Sequence, residues 1–379
     1  MNLKLKNTPE QVELIKAMGS KDLEVSRQAT QAFAAFIGPV IQKVIGQAAT
    51  AGAIYSDVNY DEDDSPSYPL DLYYNEDAGH VKVWNQSIAG GLPSSQVEGM
   101  KELKIATYRL DSAVSFLKKY ARRGRLDVVG KAVERMAQEV LVKQERNAWA
   151  VVMKALAEAS TKDGKASSAS GALNHCIQAN ADNVFTLDEL NRLMTLHKRL
   201  NQSFAGGTPA ESRGLTDLFV SPEMMEQIRA FVYQPMNTRA ADNSTAGEAS
   251  DGIALSDNLR DNIWNGAGAQ ELYGMALSEV YELGVGQKYN TLFDTFAAST
   301  SYPASGGATF AATDEILVGV DASRDAFIRP VAQQAESGGT FTAQPDDQFL
   351  ARHEKTGFWG YLEEGRVCID ARAVVGVIV

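Results

Sequence analysis

The first hydrophobic pattern in the chain has the period of a helix. Thr8 is suited to cap a helix and Pro9 to occupy its first turn. Seven apolar residues then follow at helical spacing, namely Phe33, Phe36, Ile37, Val40, Ile41, Val44 and Ile45. The pattern predicts an amphipathic helix over residues 8–50, which Gly38-Pro39 should break or kink. Such a helix would pack on its own domain, or it would be an arm that packs on a neighbouring molecule.

A different pattern, alternating apolar and polar residues, follows the first helix. LDLYY at residues 70–74 and HVKVW at residues 80–84 flank the turn sequence NEDAG, which predicts a β-hairpin. LKIATYRL, residues 103–110, predicts a returning strand. A hairpin with so little local core is marginal in isolation and needs a surface to lie on.

Residues 126–160 carry the clearest helical pattern in the sequence. Their apolar stripe consists of Leu126, Val129, Val133, Met136 and Val140, and it continues slightly rotated through Leu141, Ala148, Val152 and Ala155. A helix of this length would span roughly 50 Å. Five cations stand just before it, at Lys118, Lys119, Arg122, Arg123 and Arg125, where they oppose the helix dipole. The cluster is either a solvated corner or a contact for an acidic partner surface.

The second half of the chain alternates short helices and strands. Thr186 with Glu189 forms a capping box that starts a helix over residues 186–202. Residues 215–231 predict a strand followed by a helix that opens at Ser221-Pro222, and residues 236–258 predict an irregular surface loop. Residues 315–321 predict a buried strand. The segment Val367–Val379 is almost free of polar residues, so its last residues are expected to form an ordered strand.

Composition and charge narrow the class of protein. The chain of 379 residues is 44% hydrophobic and 22% charged, as expected of a globular protein with a substantial core. Its net charge of −12 argues against a main task of holding nucleic acid, although an acidic or neutral face could still lie beside DNA. Between Asp57 and Asp77 there are eight acids and no Lys or Arg. Neither a signal peptide nor a membrane-spanning apolar run is expected.

The motifs of common catalytic and metal sites are not found in the sequence. Cys176 and Cys368 lie far apart without a zinc-ligand spacing, and the four histidines sit in separate segments. Glu363-Glu364 adjoins Gly365 and predicts a turn between strands rather than an acid/base couple. Asp370 and Arg372 are expected to share one face of a strand, as an ion pair or an inter-subunit contact. We therefore expect no enzyme, no cofactor and no metal site, but a chain built to touch other proteins.

Three stretches of this chain resemble one protein family. YRLDSAVSFLKKYARRGRLDVVGKAVERMAQEVLVKQERNAWAVV is similar to the family's passage from an extended loop into a long helix, and LTDLFVSPEMMEQIRAF to its strand, Ser-Pro and helix step. FLARHEKTGFWGYLEEGRVCIDARAVVGVIV resembles its closing segment, on the matching positions Arg352, Lys355, Gly357, Asp370, Ala371, Arg372 and Ala373. In the order of its elements the chain resembles the major capsid proteins of tailed double-stranded DNA bacteriophages, with the fold named after phage HK97.

The resemblance implies an α+β fold of five parts. Residues 1–55 would be an N-terminal arm and residues 56–120 an extended loop (E-loop) with its flanks, the loop itself lying near residues 66–106 on the adjacent subunit. Residues 121–189 would form the peripheral domain with its spine helix at 126–160. Residues 190–345 would be the axial domain, and residues 346–379 would return to the peripheral domain.

The resemblance also implies a function and partners. The chain would self-assemble into hexamers and pentamers of an icosahedral head that encloses the genome, and would touch the packaged DNA non-specifically. A scaffolding protein, a portal and a cement protein are expected partners, with assembly in the host cytoplasm and residence in the virion, without a membrane. An encapsulin-type compartment, an enzyme with a scattered site and a tail or adhesin component remain alternatives.

Thirteen residues are candidates for contacts between subunits. The acids of the segment 57–64 are expected to pair with the five cations of residues 118–125 across a subunit boundary, because each block is unbalanced within its own segment. The candidates are Asp61, Glu62, Asp63, Asp64, Lys118, Lys119, Arg122, Arg123, Arg125, Lys82 and Trp84 in the loop region, Asp370 and Arg372. Gly124 or Gly130 is a candidate point at which the spine helix would bend when the shell expands.

Overall fold

A computed structural model of the chain shows a mixed α+β protein. It describes residues 8–48, 50–61, 65–69, 102–158, 175–200, 214–230, 270–300, 310–311, 313–333, 341–346 and 354–379. The chain divides into two compact units. Unit 1 comprises residues 1–68, 103–148 and 328–367, and unit 2 comprises residues 69–102, 149–327 and 368–379.

The helices and strands are numbered in chain order. The helices are α1 (Pro9–Met18), α2 (Leu23–Ala48), α3 (Lys118–Arg122), α4 (Leu126–Glu158), α5 (Leu187–Leu200), α6 (Pro222–Ala230) and α7 (Lys288–Thr300). The strands are β1 (Tyr55–Asp61), β2 (Ser67–Pro69), β3 (Glu102–Lys104), β4 (Tyr108–Leu117), β5 (Cys176–Gln178), β6 (Asp217–Val220), β7 (Gln270–Leu272), β8 (Met275–Glu279), β9 (Ile316–Val320), β10 (Phe327–Gln333), β11 (Thr342–Asp346), β12 (Lys355–Glu364), β13 (Val367–Cys368) and β14 (Val374–Ile378).

Unit 1 is built around strand β12. The sheet order is β1-β10-β12-β11, and β4 pairs with β12 along its whole length, from Lys355 opposite Leu117 to Glu364 opposite Tyr108. One face of this sheet packs on helices in a single apolar cluster. Its members include Ile15, Met18, Phe33, Ile37, Ile41, Phe116, Val129, Val133, Met136, Val140, Phe358 and Leu362, all buried. These apolar residues of α1, α2 and the first half of α4 are therefore buried within unit 1, whereas Phe36 of α2 is 46% exposed.

Unit 2 is built around strand β14. The sheet order is β5-β14-β9-β6-β8-β7, with β14 parallel to β5 and antiparallel to β9. All five residues of β14 are buried, and so is Val379, whose amide donates to the Glu315 carbonyl oxygen over 2.8 Å. The expectation of an ordered terminal strand is confirmed, because β14 occupies an inner position of the sheet.

Several sequence predictions are confirmed at the level of elements. Helix α4 covers Leu126–Glu158, and the strand at residues 315–321 appears as the fully buried β9. The capping box of α5 is formed, since the Thr186 amide donates to Glu189 Oε2 over 2.9 Å. Helix α6 begins at Pro222, and the Ser221 hydroxyl oxygen accepts from the Met224 amide over 3.1 Å.

The first helical region differs from its prediction. Helix α2 continues through Gly38-Pro39 without a break, and the chain interrupts the helical region earlier, at Gly19. A side chain at Gly19 would meet the backbone nitrogen of Arg122 at 2.5 Å. The close approach of α3 therefore requires glycine where α1 ends. The α1 and α2 residues of the apolar cluster pack on unit 1 of their own chain, which is the first of the two alternatives.

Two further predictions need correction, and two concern residues outside the described part of the chain. Asp370 and Arg372 do not lie on a strand, because residues 371–373 form a short 3-10 turn that Asp370 caps. Gly124 lies in the turn before α4 with a φ of +63°, so it is not a bending point inside the helix, whereas Gly130 is within it. The predicted hairpin at 70–84 and the loop at 236–258 lie outside the described residues. Among the helices that the structure describes, none is long and apolar enough to span a membrane.

Candidate subunit interface

The cationic cluster before α4 forms a folded corner of unit 1. Lys118, Lys119 and Arg122 belong to the separate helix α3, and only Arg123 and Arg125 stand directly before α4. Lys119, Arg122, Arg123 and Arg125 are exposed. The corner is fixed from within, since Arg122 Nε donates to the Gly19 carbonyl oxygen over 2.7 Å. We call these four exposed cations the basic corner.

Lys118 does not belong to the basic corner. Its side chain is only 5% exposed, and its amide donates to the Glu354 carbonyl oxygen over 2.8 Å. Burial, followed by the nearby charge of Arg122, lowers the pKa of the Lys118 ammonium. A contact of Lys118 with another subunit stays a prediction, although this residue is largely buried in its own chain.

The predicted acidic partners lie on and after β1. Asp61 is exposed at the end of this strand. Asp57 is engaged with Arg329 Nη1 at 3.3 Å, a partner inside unit 1. Glu62, Asp63, Asp64, Lys82 and Trp84 lie outside the described residues. Pairing of the acids with the basic corner across a subunit boundary stays a prediction, as does the division into arm, loop, peripheral and axial domains.

The sheet of unit 1 exposes a cation and two aromatic rings on the face away from the helices. The guanidinium of Arg109 lies 3.8 Å from the centroid of the Tyr361 ring and 5.1 Å from that of Trp359. Arg109 Nε also pairs with Asp111 Oδ1 at 2.9 Å, and both side chains are close to half exposed. The cation–π contacts hold the Arg109 guanidinium against the two rings. Arginine and aromatic side chains are enriched in protein–protein interfaces, so this cluster is a candidate contact surface for another protein.

Strand β4 forms a long open edge of the same sheet. It pairs with β12 on one side, and in the described part of the chain no strand lies along the other side. Its exposure alternates, with Arg109, Asp111, Ala113 and Ser115 exposed and Leu110 and Val114 half buried against the core. An open strand edge presents unpaired amides and carbonyls to any strand that approaches.

A buried carboxylate holds several elements of unit 1 together. Glu364, with no exposed surface, accepts from Tyr108 Oη over 2.8 Å, from Arg329 Nε over 2.8 Å and from Gln144 Nε2 over 2.9 Å. Arg366 lies 3.3 Å away. Burial opposes the charge, but Arg366 and Arg329 outweigh burial and hold the pKa of Glu364 below its usual value. Burial and Glu364 together raise the pKa of Tyr108 to about 12.

A second buried charge network lies in unit 2. Asp370 pairs with Arg372 at 2.9 Å and with Arg324 at 2.6 Å, and all three side chains are at most 10% exposed. The ion pair that the sequence predicted is confirmed. Burial opposes its charge, but the Arg372 hydrogen bond and the two arginines lower the pKa of Asp370. A contact of Asp370 and Arg372 with another subunit stays a prediction, although both side chains are committed inside their own unit.

The two networks contain residues to which the sequence analysis assigned no buried role, namely Glu364, Arg324 and His197. Glu364 had a readable signal, because strict alternation along β12 places it on the same face as Phe358 and Leu362. Arg324 and His197 had none, since they join Asp370 from positions far apart in the chain. The ion pairs and hydrogen bonds of both networks join residues of one unit, so we interpret both networks as structural. No cluster of ligands fit for a metal ion occurs among the residues described.

Comparison with known proteins gave matches among solved structures only. A search against protein-family models and a search of curated proteins both found no match. The structure is similar to that of Microbacterium phage Oxtober96, with a TM-score of 0.47, 14% identity and coverage of 87% of this chain and 90% of the other. It is also similar to the capsid of an empty GTA particle, with a TM-score of 0.49, 12% identity and coverage of 87% and 89%.

An encapsulin complex is among the similar structures as well. The holo-SrpI encapsulin of Synechococcus elongatus matches with a TM-score of 0.38 and 10% identity, over 73% of this chain and 75% of the other. All three TM-scores lie below 0.5, so these similarities by themselves carry no conclusion about what this chain does.

Proposed function

We propose that this chain is the major capsid protein of a tailed double-stranded DNA bacteriophage. In this proposal it assembles into hexamers and pentamers that close an icosahedral head around the genome. Scaffolding, portal and cement proteins join it during assembly in the host cytoplasm, and the finished shell is part of the virion. The ordered resemblance of the sequence to that family, from the basic passage into a long helix to the terminal strand, is the starting point of the proposal.

The observation that carries the proposal is the separation of opposite charges on fixed elements of unit 1. The basic corner is exposed and anchored to Gly19, while Asp61 is exposed at the end of β1 and precedes three further acids in sequence. Two unlike patches on one subunit fit a head-to-tail contact, which generates rings when the rotation closes. Many weak contacts repeated around a closed shell then give a stable assembly.

A charge-reversal experiment tests this proposal. Lys119, Arg123 and Arg125 are changed to Glu, while Arg122 is kept because it holds the Gly19 carbonyl. Like charges then face each other across the boundary, so closed particles should be lost while the helical circular dichroism signal of the subunit is retained. Negative-stain images and sedimentation velocity provide the readout.

The matched control reverses the acids as well. Changing Asp61, Glu62, Asp63 and Asp64 to Lys in the charge-reversed chain should restore particles, because opposite charges are again paired. Particles that persist in the first variant, or a failure of the second change to restore them, would count against this contact. Particles filled with a cargo enzyme instead of DNA would identify an encapsulin-type compartment.

A further inference from the structure

The open edge of β4 differs from the other outer strands of unit 1 in its length and regularity, and its two charged residues lie at one end. Natural sheets blunt their edges with short strands, prolines, charges or bulges. β4 has ten residues, no proline, and an unbroken register with β12. By contrast, β11 has five residues including Pro345, and β1 carries the acids Asp57 and Asp61. The edge of β4 is thus the part of this sheet best formed to accept another strand.

The two faces of β4 show what kind of strand would fit. On the helix side, Leu110 and Val114 are half buried, and no strand of the described residues lies beyond them. On the outer side, Ala113 and Ser115 are exposed and small. The charged pair Arg109 and Asp111 is confined to one end of the strand. A partner strand should therefore bring apolar side chains to the helix side and small or complementary ones to the outer side.

A second copy of β4 meets these requirements. Two copies related by a two-fold axis normal to the sheet run antiparallel with their like faces aligned, so residues directly opposite share a face. A register centred on Ala113 pairs residues 109–117 of both copies. Leu110 then lies opposite Phe116 of the second copy, and Asp111 lies opposite Ser115 of the second copy. This places apolar side chains together on the helix side.

Charge disfavours two of the shorter registers. Centring the pair on Arg109 sets two arginines opposite each other, and centring it on Asp111 sets two aspartates opposite each other, which destabilises antiparallel pairs. The register centred on Ala113 pairs residues 109–117 without a like-charge pair. A register centred on Ser112 pairs residues 108–116 and shares this property, and the cross-links described next distinguish the two. We infer that β4 is a two-fold contact between copies of this chain, through which the sheets of two units 1 become one continuous sheet.

Cross-linking tests the register directly. With Ala113→Cys, the two introduced sulfur atoms face each other across the two-fold axis, since opposite Cα atoms in antiparallel strands lie about 4.5–5.5 Å apart, within disulfide range. Ser115→Cys is the matched control on the same face, because its copies would lie roughly 13 Å apart along the strands. Mild oxidation should give covalent dimers of the first variant on a non-reducing gel, and not of the second or of the parent chain.

Two arginine substitutions test the same contact without cross-linking. Ala113→Arg sets two cations against each other at the axis and should reduce pairing at least tenfold by sedimentation equilibrium. Ser115→Arg meets Asp111 of the second copy and should leave pairing unchanged or strengthen it. Equal effects of the two changes would overturn the inference, as would dimers of the Ser115→Cys variant in place of those of Ala113→Cys.

This inference rests on the proposed function only in that copies of the chain must meet, and the outcomes separate the two. Closed particles that give no Ala113→Cys dimers would overturn the strand pairing and leave the capsid proposal standing. Dimers of Ala113→Cys without closed particles would support the pairing and count against the capsid proposal. A chain that stays monomeric throughout would overturn both.

Discussion

At the scale of single residues, the buried charged side chains contribute more to the stability of the fold than the exposed ones do. Glu364 receives hydrogen bonds from side chains of β4, α4 and β10, so one carboxylate connects three elements of unit 1. Arg329 and Arg366 next to it are largely buried as well. Removing one partner from a buried ion pair leaves an uncompensated charge, which is far more costly than losing a surface pair.

Replacing Glu364 with Gln should therefore destabilise unit 1 strongly. The change keeps the shape of the side chain but removes the buried carboxylate that pairs with Arg366 and Arg329, of which Arg329 still pairs with Asp57. We expect a cost of about 3–5 kcal/mol in the free energy of unfolding. Urea denaturation of the unassembled subunit measures it.

The neighbouring residue provides the control. Glu363 points to the other face of β12 and accepts from Tyr60 and Thr107 hydroxyls. Replacing Glu363 with Gln leaves no buried charge unpaired and should cost about 1 kcal/mol. If Glu364→Gln and Glu363→Gln lower the free energy of unfolding by the same amount, the buried network is not what stabilises unit 1.

His197 gives unit 2 a dependence on pH. The side chain has no exposed surface, and burial lowers its pKa to about 4. Asp321, with Oδ2 at 4.0 Å, and Asp370 favour the charged imidazole, whereas Arg324 and His175 oppose it. Because the folded state resists a proton that the unfolded state accepts near pH 6.5, stability should be full above that pH and fall toward pH 4.

We expect unit 2 to lose stability on the order of 3 kcal/mol across that window. Amide hydrogen exchange of β9 and β14, measured at pH values from 7 to 4 and corrected for the intrinsic exchange rate, reports on unit 2 specifically. His197→Asn should remove most of the dependence, while the exposed neighbour substitution Lys198→Gln should keep it. Protection that does not change between pH 6.5 and 4 in the parent chain would contradict this account.

At the scale of elements, helix caps and apolar periodicity correctly predicted where individual helices lie. The capping box at Thr186 and the Ser-Pro step at Ser221 fixed the starts of α5 and α6, and the long stripe of residues 126–160 fixed α4. These elements are stabilised largely by their own periodicity and caps, so sequence reasoning reaches them.

Other features depend on tertiary contacts and were not predictable in the same way. Proline usually ends a helix, yet α2 continues past Pro39 where Phe33, Ile37 and Ile41 are buried in the core of unit 1. Lys118 reads as one of five surface cations, but its place at the junction of β4 and α3 buries it. The open edge of β4 became visible only when the strand order was known.

Removal of Ile378 and Val379 should prevent unit 2 from folding stably. Both side chains are buried, and the Ile378 carbonyl oxygen accepts from the Ala179 amide over 2.8 Å. Losing two fully buried aliphatic side chains costs roughly 3–6 kcal/mol, comparable to the whole stability of many domains. Solubility and thermal unfolding of the shortened chain, beside a chain with Ile378→Val, measure the effect. A shortened chain as stable as the Ile378→Val chain would contradict the role assigned to β14.

At the scale of the whole molecule, the surface features from which the two proposals are argued belong to unit 1. The basic corner, the acids at the end of β1, the Arg109 cluster and the open edge of β4 belong to it. The sequence analysis found the charge blocks because their residues are contiguous in the chain. It missed the open edge of β4 because the order of strands in a sheet depends on residues that are far apart in sequence. In the capsid proposal, head-to-tail contacts of the charge blocks close the rings, and two-fold contacts of β4 join ring to ring.

The most direct test of the central claim is the assembly state of the unmodified chain. The purified protein is raised in concentration and followed by sedimentation velocity and negative-stain imaging, with a scaffolding protein supplied in a parallel sample. The account predicts closed particles that show five-fold and six-fold rings in at least one of the two samples. A compact monomer that persists in both samples at high concentration would contradict it.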